Sequence, residues 1–309
     1  MRPTLEPLTW RDKTALITGG TGTFGQAFAD YAVHALGAAK VIIFSRDEYK
    51  QHLMKSKIPA MHRDRFRFFI GDVRDLHRLH RAFDGVDIVV HAAALKRVPA
   101  CEYDPFEAVK TNIIGSVNVI DAALDCGVGR ALALSTDKAV DPINLYGNTK
   151  ATMEKLFVQA NTYAGGHGTR FSCTRYGNVA ESRGSVLEVF KAQRDAGEPL
   201  QITSSWMTRF WITIDRAVRF VAGSIGTMSG GEIFIPKMPA IAVVDLAKAL
   251  APDHDIIFTG RRPGEKVAET IISEHEMART LDIGDLYVIQ PEFPWWEKHN
   301  WWQGTKCGL

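Results

Sequence analysis

The fold is decided by residues 14–25, which read TALITGGTGTFG. The first residues of this stretch form a short apolar run, which is typical of a buried strand. Gly19, Gly22 and Gly25 follow at a regular spacing and lead into a helical pattern. Glycines so placed allow a tight turn, a close approach of backbone N–H groups to phosphate, and packing of the helix against the strand. The stretch therefore predicts a strand, a dinucleotide-binding loop and the start of a helix.

Apolar runs of the same kind recur along the first half of the chain, separated by amphipathic helical patterns. Further strands are predicted at residues 41–44, 67–70, 87–91, 130–134 and 171–176. Continuously apolar strands that alternate with helices form a parallel sheet covered on both faces. Because crossover connections are right-handed, the pattern predicts an α/β fold with a Rossmann-like doubly wound parallel sheet.

The predicted elements become shorter after residue 176, which indicates a second, smaller unit. We predict an NADP-binding Rossmann domain over residues 1–176, with residues 207–235 packing back on it. Residues 177–206 and 236–309 are expected to form a smaller C-terminal substrate-binding lobe over the strand ends, where open α/β sheets bind ligands.

The composition narrows the class of protein. Of the 309 residues 46% are hydrophobic and 23% are charged, as in an ordinary soluble globular protein. A net charge of +2 gives no signal for nucleic acid as a partner. The cysteines are scattered without metal-ligand spacing, and no long apolar run predicts a membrane span, so we expect no metal, no membrane partner and a cytoplasmic location.

The end of the second predicted strand bears on the choice of cofactor. A site for NAD usually places a carboxylate there, but this chain has Ser45 and Arg46, with Lys50 further along. A hydroxyl and two cations favour the 2′-phosphate of NADP, whereas Asp47 and Glu48 keep NAD open. Asp72 is either a contact to adenine or a helix N-cap. The residues expected to contact the cofactor are Gly19, Thr21, Gly22, Thr23, Phe24, Gly25, Ser45, Arg46, Lys50, Asp72, Val73, Ala92, Ala93, Ala94, Asn112, Tyr146 and Lys150.

A second stretch, residues 134–150 (LSTDKAVDPINLYGNTK), carries candidate catalytic side chains. Thr136 directly follows a predicted strand, while Tyr146 and Lys150 stand four positions apart and share a helix face. A neighbouring ammonium is expected to lower the pKa of the phenol, which would make Tyr146 a usable base. With the glycine loop upstream, the chain resembles an extended short-chain dehydrogenase/reductase.

Asp137 and Lys138 add an acid and a base to this set. Oxidation at carbon 4 of a hexose makes the proton at carbon 5 acidic, so that a base can remove it while an acid protonates the hydroxyl leaving carbon 6. Asp137 suits the role of acid and Lys138 that of base. Lys138 would have to lose its charge, through burial or through nearby cations such as Lys150.

The resemblance extends over roughly residues 12–290. Its motifs include STDKA at 135–139, GDVRD at 71–75, HAAALK at 91–96 and RPGEK at 262–266. Together they resemble the UDP-N-acetylglucosamine 4,6-dehydratases that invert carbon 5, which belong to pathways to pseudaminic-acid-type sugars. Tyr146 stands where relatives that retain the carbon-5 configuration, and some that invert it, carry Met.

The resemblance implies oxidation at carbon 4, loss of water across carbons 5 and 6, and return of the hydride to carbon 6, with NADP recycled each turn. It assigns the catalytic roles to Thr136, Asp137, Lys138, Tyr146 and Lys150. Either Lys138 or Tyr146 would return the proton to carbon 5. It also implies a UDP-sugar substrate and a homo-oligomer. The residues expected to bind that substrate are Lys96, Asn178, Arg183, Arg209, Arg262 and Glu265.

Other functions are compatible with the same sequence. A nucleotide-sugar 4-epimerase would leave Asp137 and Lys138 idle, and a dehydratase that retains carbon 5 would use the same acid and base. A protein of another class, a non-catalytic NADPH-binding regulator, would bind the dinucleotide without turnover. Each arginine assigned to the substrate could instead form a surface ion pair.

Overall fold

A computed structural model describes residues 8–165, 168–180, 182, 184–292 and 305–307. The strands within them are β1 (Thr14–Thr18), β2 (Lys40–Ser45), β3 (Phe66–Ile70), β4 (Ile88–His91), β5 (Arg130–Leu134), β6 (Arg170–Thr174), β7 (Asn178–Val179), β8 (Leu200–Ile202), β9 (Thr208–Ile212), β10 (Ile233–Pro236), β11 (Ala240–Ala242), β12 (Ile256–Phe258), β13 (Thr280–Asp282), β14 (Leu286–Ile289) and β15 (Thr305–Lys306). The α-helices are α1 (Thr23–His34), α2 (Glu48–Lys57), α3 (Leu76–Phe83), α4 (Val98–Tyr103), α5 (Pro105–Val109), α6 (Gly115–Asp125), α7 (Leu145–Ala160), α8 (Val186–Asp195), α9 (Ile214–Thr227), α10 (Val243–Leu250) and α11 (Glu274–Met277).

A single large sheet carries most of these strands. Its order is β15-β13-β14-β10-β6-β5-β4-β1-β2-β3. The strands from β3 across to β10 all run parallel. The chain order reverses between β1 and β4, and at such a reversal the carboxyl ends of the strands leave a crevice for a ligand. The predicted α/β fold with a Rossmann-like doubly wound sheet is confirmed.

Both faces of the sheet are covered, which explains why its strands are apolar throughout. Leu16 and Ile17 are adjacent in β1 but point to opposite faces, because side chains alternate along a strand. Ile17 joins a core with Phe28 of α1 and Val221 of α9, and Leu16 joins one with Phe157 of α7. No helix within the described residues is long and apolar enough to cross a membrane.

The smaller elements lie beyond the ends of the parallel strands. β7, β9 and β11 form a three-stranded sheet, and β8 pairs with β12. Phe190 of α8, Leu200 of β8 and Ala247 of α10 form a separate small core there. The predicted lobe 236–309 needs one correction, since β13 and β14 extend the main sheet by antiparallel pairing next to β10. The boundaries of the two domains otherwise stay a prediction.

Two helices shape the site. The helix on which the sequence places Tyr146 and Lys150 begins at Leu145, because Asn144 caps it by accepting a hydrogen bond from the backbone N–H of Gly147 at 2.8 Å. Tyr146 therefore lies in its first turn. The helix expected over residues 105–126 is interrupted by the π-helical turn Lys110–Ile114, which joins α5 to α6.

Candidate active site

The glycine loop brings the end of β1 and the start of α1 against the end of β4. Gly19 has φ 67°, and a Cβ there would lie 2.9 Å from the backbone nitrogen of Ala93. A Cβ at Gly25 would lie 2.6 Å from the Cα of Gly20. α1 begins after Gly22 with no side-chain cap and no acidic residue in its first turn. The loop thus presents a positive helix end at the crevice, as a pyrophosphate requires.

Two other residues of the predicted cofactor loop have structural contacts. The backbone carbonyl of Thr21 accepts a hydrogen bond from Gln26 Nε2 at 2.8 Å. Phe24 stacks on Phe28, with ring centroids 5.6 Å apart. These contacts hold the loop to the first turns of α1.

Ser45 and Asp47 at the end of β2 are both hydrogen-bonded within the protein. The Ser45 hydroxyl accepts a hydrogen bond from Gln51 Nε2 at 3.0 Å. Asp47 caps α2 by accepting from the backbone N–H of Lys50 at 2.9 Å, and it pairs with the Lys50 ammonium at 2.9 Å. Hydrogen bonds from the side chain and backbone of Lys50 lower the pKa of Asp47. Asp47 is thus engaged as a cap rather than held ready for a ribose.

Asp72 is the anion of a small charged cluster beside β2. Its carboxylate accepts from the side chain of Arg74 at 2.7 Å and lies 3.7 Å from Arg46. Burial favours its protonated form, but hydrogen bonds and charge from Arg74 outweigh that effect and lower the pKa of Asp72. The helix N-cap of α3 is Asp75, which accepts from the backbone N–H of Arg78 at 2.9 Å, so the interpretation of Asp72 as that cap is wrong. Val73 is buried in the core.

The segment after β4 is held in place by Thr18 and Asn112. Thr18 Oγ1 accepts from the backbone N–H groups of Ala92 and Ala93, both at 3.2 Å. Asn112, in the π-helical turn, accepts from the backbone N–H of Leu95 at 2.8 Å and donates to its carbonyl at 2.8 Å. It also donates to Thr149 Oγ1 of α7 at 3.0 Å. Asn112 therefore joins this segment, which includes Ala94, to the helix that carries Tyr146.

Tyr146 is buried in a setting that opposes ionisation. Burial and the charge of Asp137 raise the pKa of Tyr146, while a hydrogen bond with Thr136 works in the other direction. Lys150 was expected to lower the pKa of Tyr146. That expectation is wrong for Tyr146 in the protein alone. Lys150 is itself buried and donates to Met153 Sδ at 3.1 Å. Burial lowers the pKa of Lys150 to about 8.

Asp137 and Lys138 form a close ion pair at the end of β5. Asp137 Oδ1 lies 2.9 Å from Lys138 Nζ and accepts from Thr136 Oγ1 at 2.9 Å. The side chain of Asp137 is 0% exposed, and its Oδ2 has no hydrogen-bond partner among the described residues. Lys138 Nζ also lies 3.5 Å from Asn178 Oδ1. Asp137 and Lys138, the expected acid and base, are thus in direct contact.

Glu269 is a further carboxylate at this site that the sequence analysis missed. Its Oε1 lies 3.6 Å from Lys138 Nζ. Lys138 is thus flanked by the carboxylates of Asp137 and Glu269, and the expected effect of nearby cations on it stays a prediction. Glu269 follows the RPGEK motif closely, but only the folded chain brings it to Lys138.

Arg209 is engaged in organising the loop that carries that motif. Its buried guanidinium donates to the backbone carbonyls of Thr208 at 2.7 Å, Val267 at 3.0 Å and Lys266 at 3.0 Å, and it lies 3.6 Å from Glu265. The contact of Arg209 with substrate stays a prediction. Its hydrogen bonds to the loop show that it also has a structural role.

The remaining residues assigned to the substrate have few contacts within the protein among those that the structure describes. Arg262 and Lys96 are exposed, and Glu265 Oε2 accepts from the backbone N–H of Arg262 at 3.2 Å. Asn178 contacts Lys138 as described. Arg183 lies outside the described residues.

Comparison with known proteins shows the family to which the chain belongs. Residues 15–291 match the family described as polysaccharide biosynthesis protein. A Campylobacter jejuni protein of serotype O:2, named UDP-N-acetylglucosamine 4,6-dehydratase (inverting), is 49% identical over 93% of this chain and 86% of its own. A Rickettsia canadensis protein named UDP-glucose 4-epimerase is 43% identical over 90% of this chain and 83% of its own.

Among solved structures, Pen from Bacillus thuringiensis superposes with a TM-score of 0.89 at 35% identity, covering 92% of this chain and 90% of that one. The similarity spans the sheet, the glycine loop and the segment that carries Glu269. This chain belongs to the polysaccharide biosynthesis protein family, with the fold of the extended short-chain dehydrogenase/reductases.

Proposed function

We propose that this protein dehydrates UDP-N-acetylglucosamine to a UDP-2-acetamido-2,6-dideoxy-hexos-4-ulose and inverts carbon 5. The observation that carries the proposal is the contact between the buried Asp137 and the half-buried Lys138, beside the Thr136 and Tyr146 of an oxidoreductase site. Oxidation alone has no need for an acid and a base in that place. The similarity to Campylobacter jejuni proteins named as inverting dehydratases supports the same function.

The residues of the crevice fit a nicotinamide dinucleotide. When bound, such a cofactor accepts a hydride from carbon 4 and returns it to carbon 6. The cradle formed by Gly19, Gly22 and Gly25 would hold its pyrophosphate at the start of α1, since a Cβ at Gly19 or Gly25 would fill the space. Lys150, buried one helical turn from Tyr146, would hold the nicotinamide ribose.

NADP is the form of the cofactor that we propose. Asp47 is engaged in capping α2, which leaves Ser45 and the half-exposed Arg46 as the nearer groups for a 2′-substituent. A guanidinium suits phosphate better than a hydroxyl.

The preference for NADP predicts the effect of one substitution. Arg46→Ala should weaken the binding of NADP by about tenfold, which corresponds to about 1.4 kcal/mol, and leave the binding of NAD almost unchanged. Isothermal titration of both dinucleotides measures this. An equal loss for NAD and NADP would contradict the preference.

Tyr146 would begin the reaction by removing the proton of the carbon-4 hydroxyl. Its raised pKa makes the phenolate, once formed, a strong base. Thr136, which is hydrogen-bonded to the phenol and donates to Asp137, would orient the substrate hydroxyl. Lys150 shares the helix face of Tyr146 and supplies a positive charge close to it.

Asp137 and Lys138 would then act on neighbouring carbons. The amine of Lys138 would take the proton from carbon 5, and Asp137 would protonate the hydroxyl that leaves carbon 6. Asp137 Oδ2 suits this role because it is buried and has no partner among the described residues. Asn178, against Lys138, would fix the lysine or the sugar.

The UDP moiety would be bound at the rim of the same opening. We propose that Arg262 and Arg183 bind the diphosphate, that Glu265 binds the ribose, and that Lys96 contacts the sugar. Arg209 would act chiefly by holding the loop that presents Glu265. We also propose a homo-oligomer, supported by the exposed apolar side chains of Tyr103, Phe106 and Ile114.

Incubation with UDP-N-acetylglucosamine and NADP tests the function. Mass spectrometry should show a product lighter by one water, and Asp137→Asn should abolish it. An isobaric product would favour the 4-epimerase, to which the Rickettsia relatives named UDP-glucose 4-epimerase lend weight. Binding of NADP with no turnover of any nucleotide sugar would favour a non-catalytic regulator.

A further inference from the structure

Glu269 is a buried carboxylate with no role in the reaction described so far. Its side chain is 4% exposed, Oε1 lies 3.6 Å from Lys138 Nζ, and Oε2 has no hydrogen-bond partner among the described residues. Lys138, by contrast, is 20% exposed. A carboxylate is costly to bury unless it is paired or hydrogen-bonded. Its position therefore calls for an explanation.

The segment that carries Glu269 is fixed to the catalytic loop on its N-terminal side. Asn144 Nδ2, at the start of α7, donates to the carbonyl of Gly264 at 2.8 Å. Lys266 Nζ donates to the carbonyl of Val140 at 2.8 Å, just beyond Lys138 in the chain. These bonds join the segment to the same loop that holds Lys138.

The segment is fixed on its C-terminal side as well. Arg175, which follows β6, donates to the carbonyl of Ile271 at 3.0 Å and pairs with Glu276 at 2.8 Å. Glu269 thus stands between two anchored points, and its distance from Lys138 is set by the fold rather than by a freely moving loop.

The charges around Lys138 indicate what such a placement does. The charged groups that face Lys138 among the described residues are Asp137 and Glu269, and Tyr146 in turn faces Asp137. In the proposed dehydration Asp137 carries the proton that it gives to the leaving hydroxyl, so Glu269 is the carboxylate that faces the ammonium of Lys138 with its charge.

We propose that Glu269 is a positioning residue that holds Lys138 and accepts a proton from its ammonium, so that the amine can take the proton from carbon 5. The inference rests on the proposed dehydration. The N–H bond of Lys138 breaks as an O–H bond forms on Glu269, and the free amine then takes the proton from carbon 5. Tyr146 gives the proton that it removed at carbon 4 to the opposite face of carbon 5. Lys138 passes the carbon-5 proton to Asp137, which lost its own to the departing water and lies 2.9 Å away, and Glu269 returns its proton to Lys138.

The test is Glu269→Gln, which keeps the shape of the side chain and removes its charge. In deuterated buffer with UDP-N-acetylglucosamine, the variant should form reduced nicotinamide as fast as the wild type. It should exchange deuterium at carbon 5 and release dehydrated product about a hundredfold more slowly.

Two further variants guard against a merely structural effect. Glu269→Leu should slow elimination to the same extent if it folds as judged by circular dichroism. Glu198→Gln changes an exposed glutamate distant in sequence and should behave as the wild type. A Glu269→Gln enzyme that exchanges carbon 5 and eliminates water at the wild-type rate overturns the inference. So does an equal slowing of oxidation and elimination. A wild type that yields no dehydrated product overturns the proposed function, and this inference with it.

Discussion

Lys150 holds its ammonium in an enclosed position, where the thioether of Met153 is its hydrogen-bond acceptor among the residues that the structure describes. Burial lowers its pKa from 10.5 to about 8, so the fold disfavours the charged form. The unfolded chain keeps its proton up to the higher pKa. The stability penalty is therefore complete below about pH 8 and fades as the pH rises towards 10.5.

This penalty predicts that Lys150→Met stabilises the protein while it impairs catalysis. At pH 7 the free energy of unfolding should rise by about 2 kcal/mol, somewhat less than the whole lowering of the Lys150 pKa implies. The advantage should shrink above pH 8, as urea denaturation at several pH values would show. Lys155→Met, on an exposed position of the same helix, is the matched control and should show no such pH dependence. A destabilised Lys150→Met variant would contradict the account.

A second prediction at this scale concerns the role of Tyr146 as the base. Removing its hydroxyl in Tyr146→Phe should reduce the rate of carbon-4 oxidation by about a thousandfold, within the range of general-base effects. The binding of dinucleotide should hardly change, since the ring remains packed. Stopped-flow detection of reduced nicotinamide measures the rate, with the exposed Tyr163→Phe as control. Retention of more than a tenth of the rate would remove Tyr146 from the role of base.

The sequence could indicate these residues only in part. Tyr146 and Lys150 are revealed by their helical spacing, and Asp137 and Lys138 by their place after a strand. Their protonation preferences depend on burial, which is why the expected lowering of the Tyr146 pKa was wrong. Glu269 reaches Lys138 through a contact between distant parts of the chain, and no local pattern reports such a contact.

At the scale of elements, the buried Arg175 joins three parts of the fold. It forms paired hydrogen bonds with Glu154 of α7 at 3.0 and 2.7 Å, and with Glu276 of α11 at 2.8 and 2.8 Å. Burial favours the protonated acid at Glu276, but the hydrogen bonds and charge of Arg175 outweigh it and lower the pKa of Glu276 to about 2. The ion-pair group of Arg175, Glu154 and Glu276, here called the clamp, therefore fixes α11 and the segment before it against α7.

The clamp predicts a loss of stability in acid. The pKa of Glu276 falls from 4.5 in the unfolded chain to about 2 in the fold, so its contribution is present above pH 4.5 and disappears as the pH falls through 2. Glu276→Gln should cost about 3 kcal/mol at neutral pH and progressively less below pH 4. Urea denaturation across this range measures the difference, and Glu274→Gln on the same short helix is the control. A constant difference at all pH values would show that the ion pair does not matter.

Long apolar strands and the glycine loop could be predicted because their signals are local. The short elements could not: α4, β7, β9 and β11 have few residues and are stabilised by their tertiary neighbours. The helical spacing of Tyr146 and Lys150 places both on one helix, which α7 confirms, with Asn144 as its cap.

At the scale of the whole molecule, the reversal of strand order between β1 and β4 puts the glycine loop and the catalytic loop at the same edge of the sheet. The doubly wound topology follows from the alternation of apolar strands and amphipathic helices along the sequence. The antiparallel extension by β13 and β14 does not, because pairing of distant strands leaves no periodic trace. The Trp-rich stretch near the C-terminus lies outside the described residues.

The most direct measurement of the central claim is the NMR spectrum of the product formed from UDP-N-acetylglucosamine in deuterated water. The account predicts a 4-keto-6-deoxy sugar with one solvent deuterium at carbon 5, inverted configuration at that carbon, and the original carbon-4 hydrogen at carbon 6. A 4-epimer that retains its carbon-6 hydroxyl and contains no deuterium would contradict it.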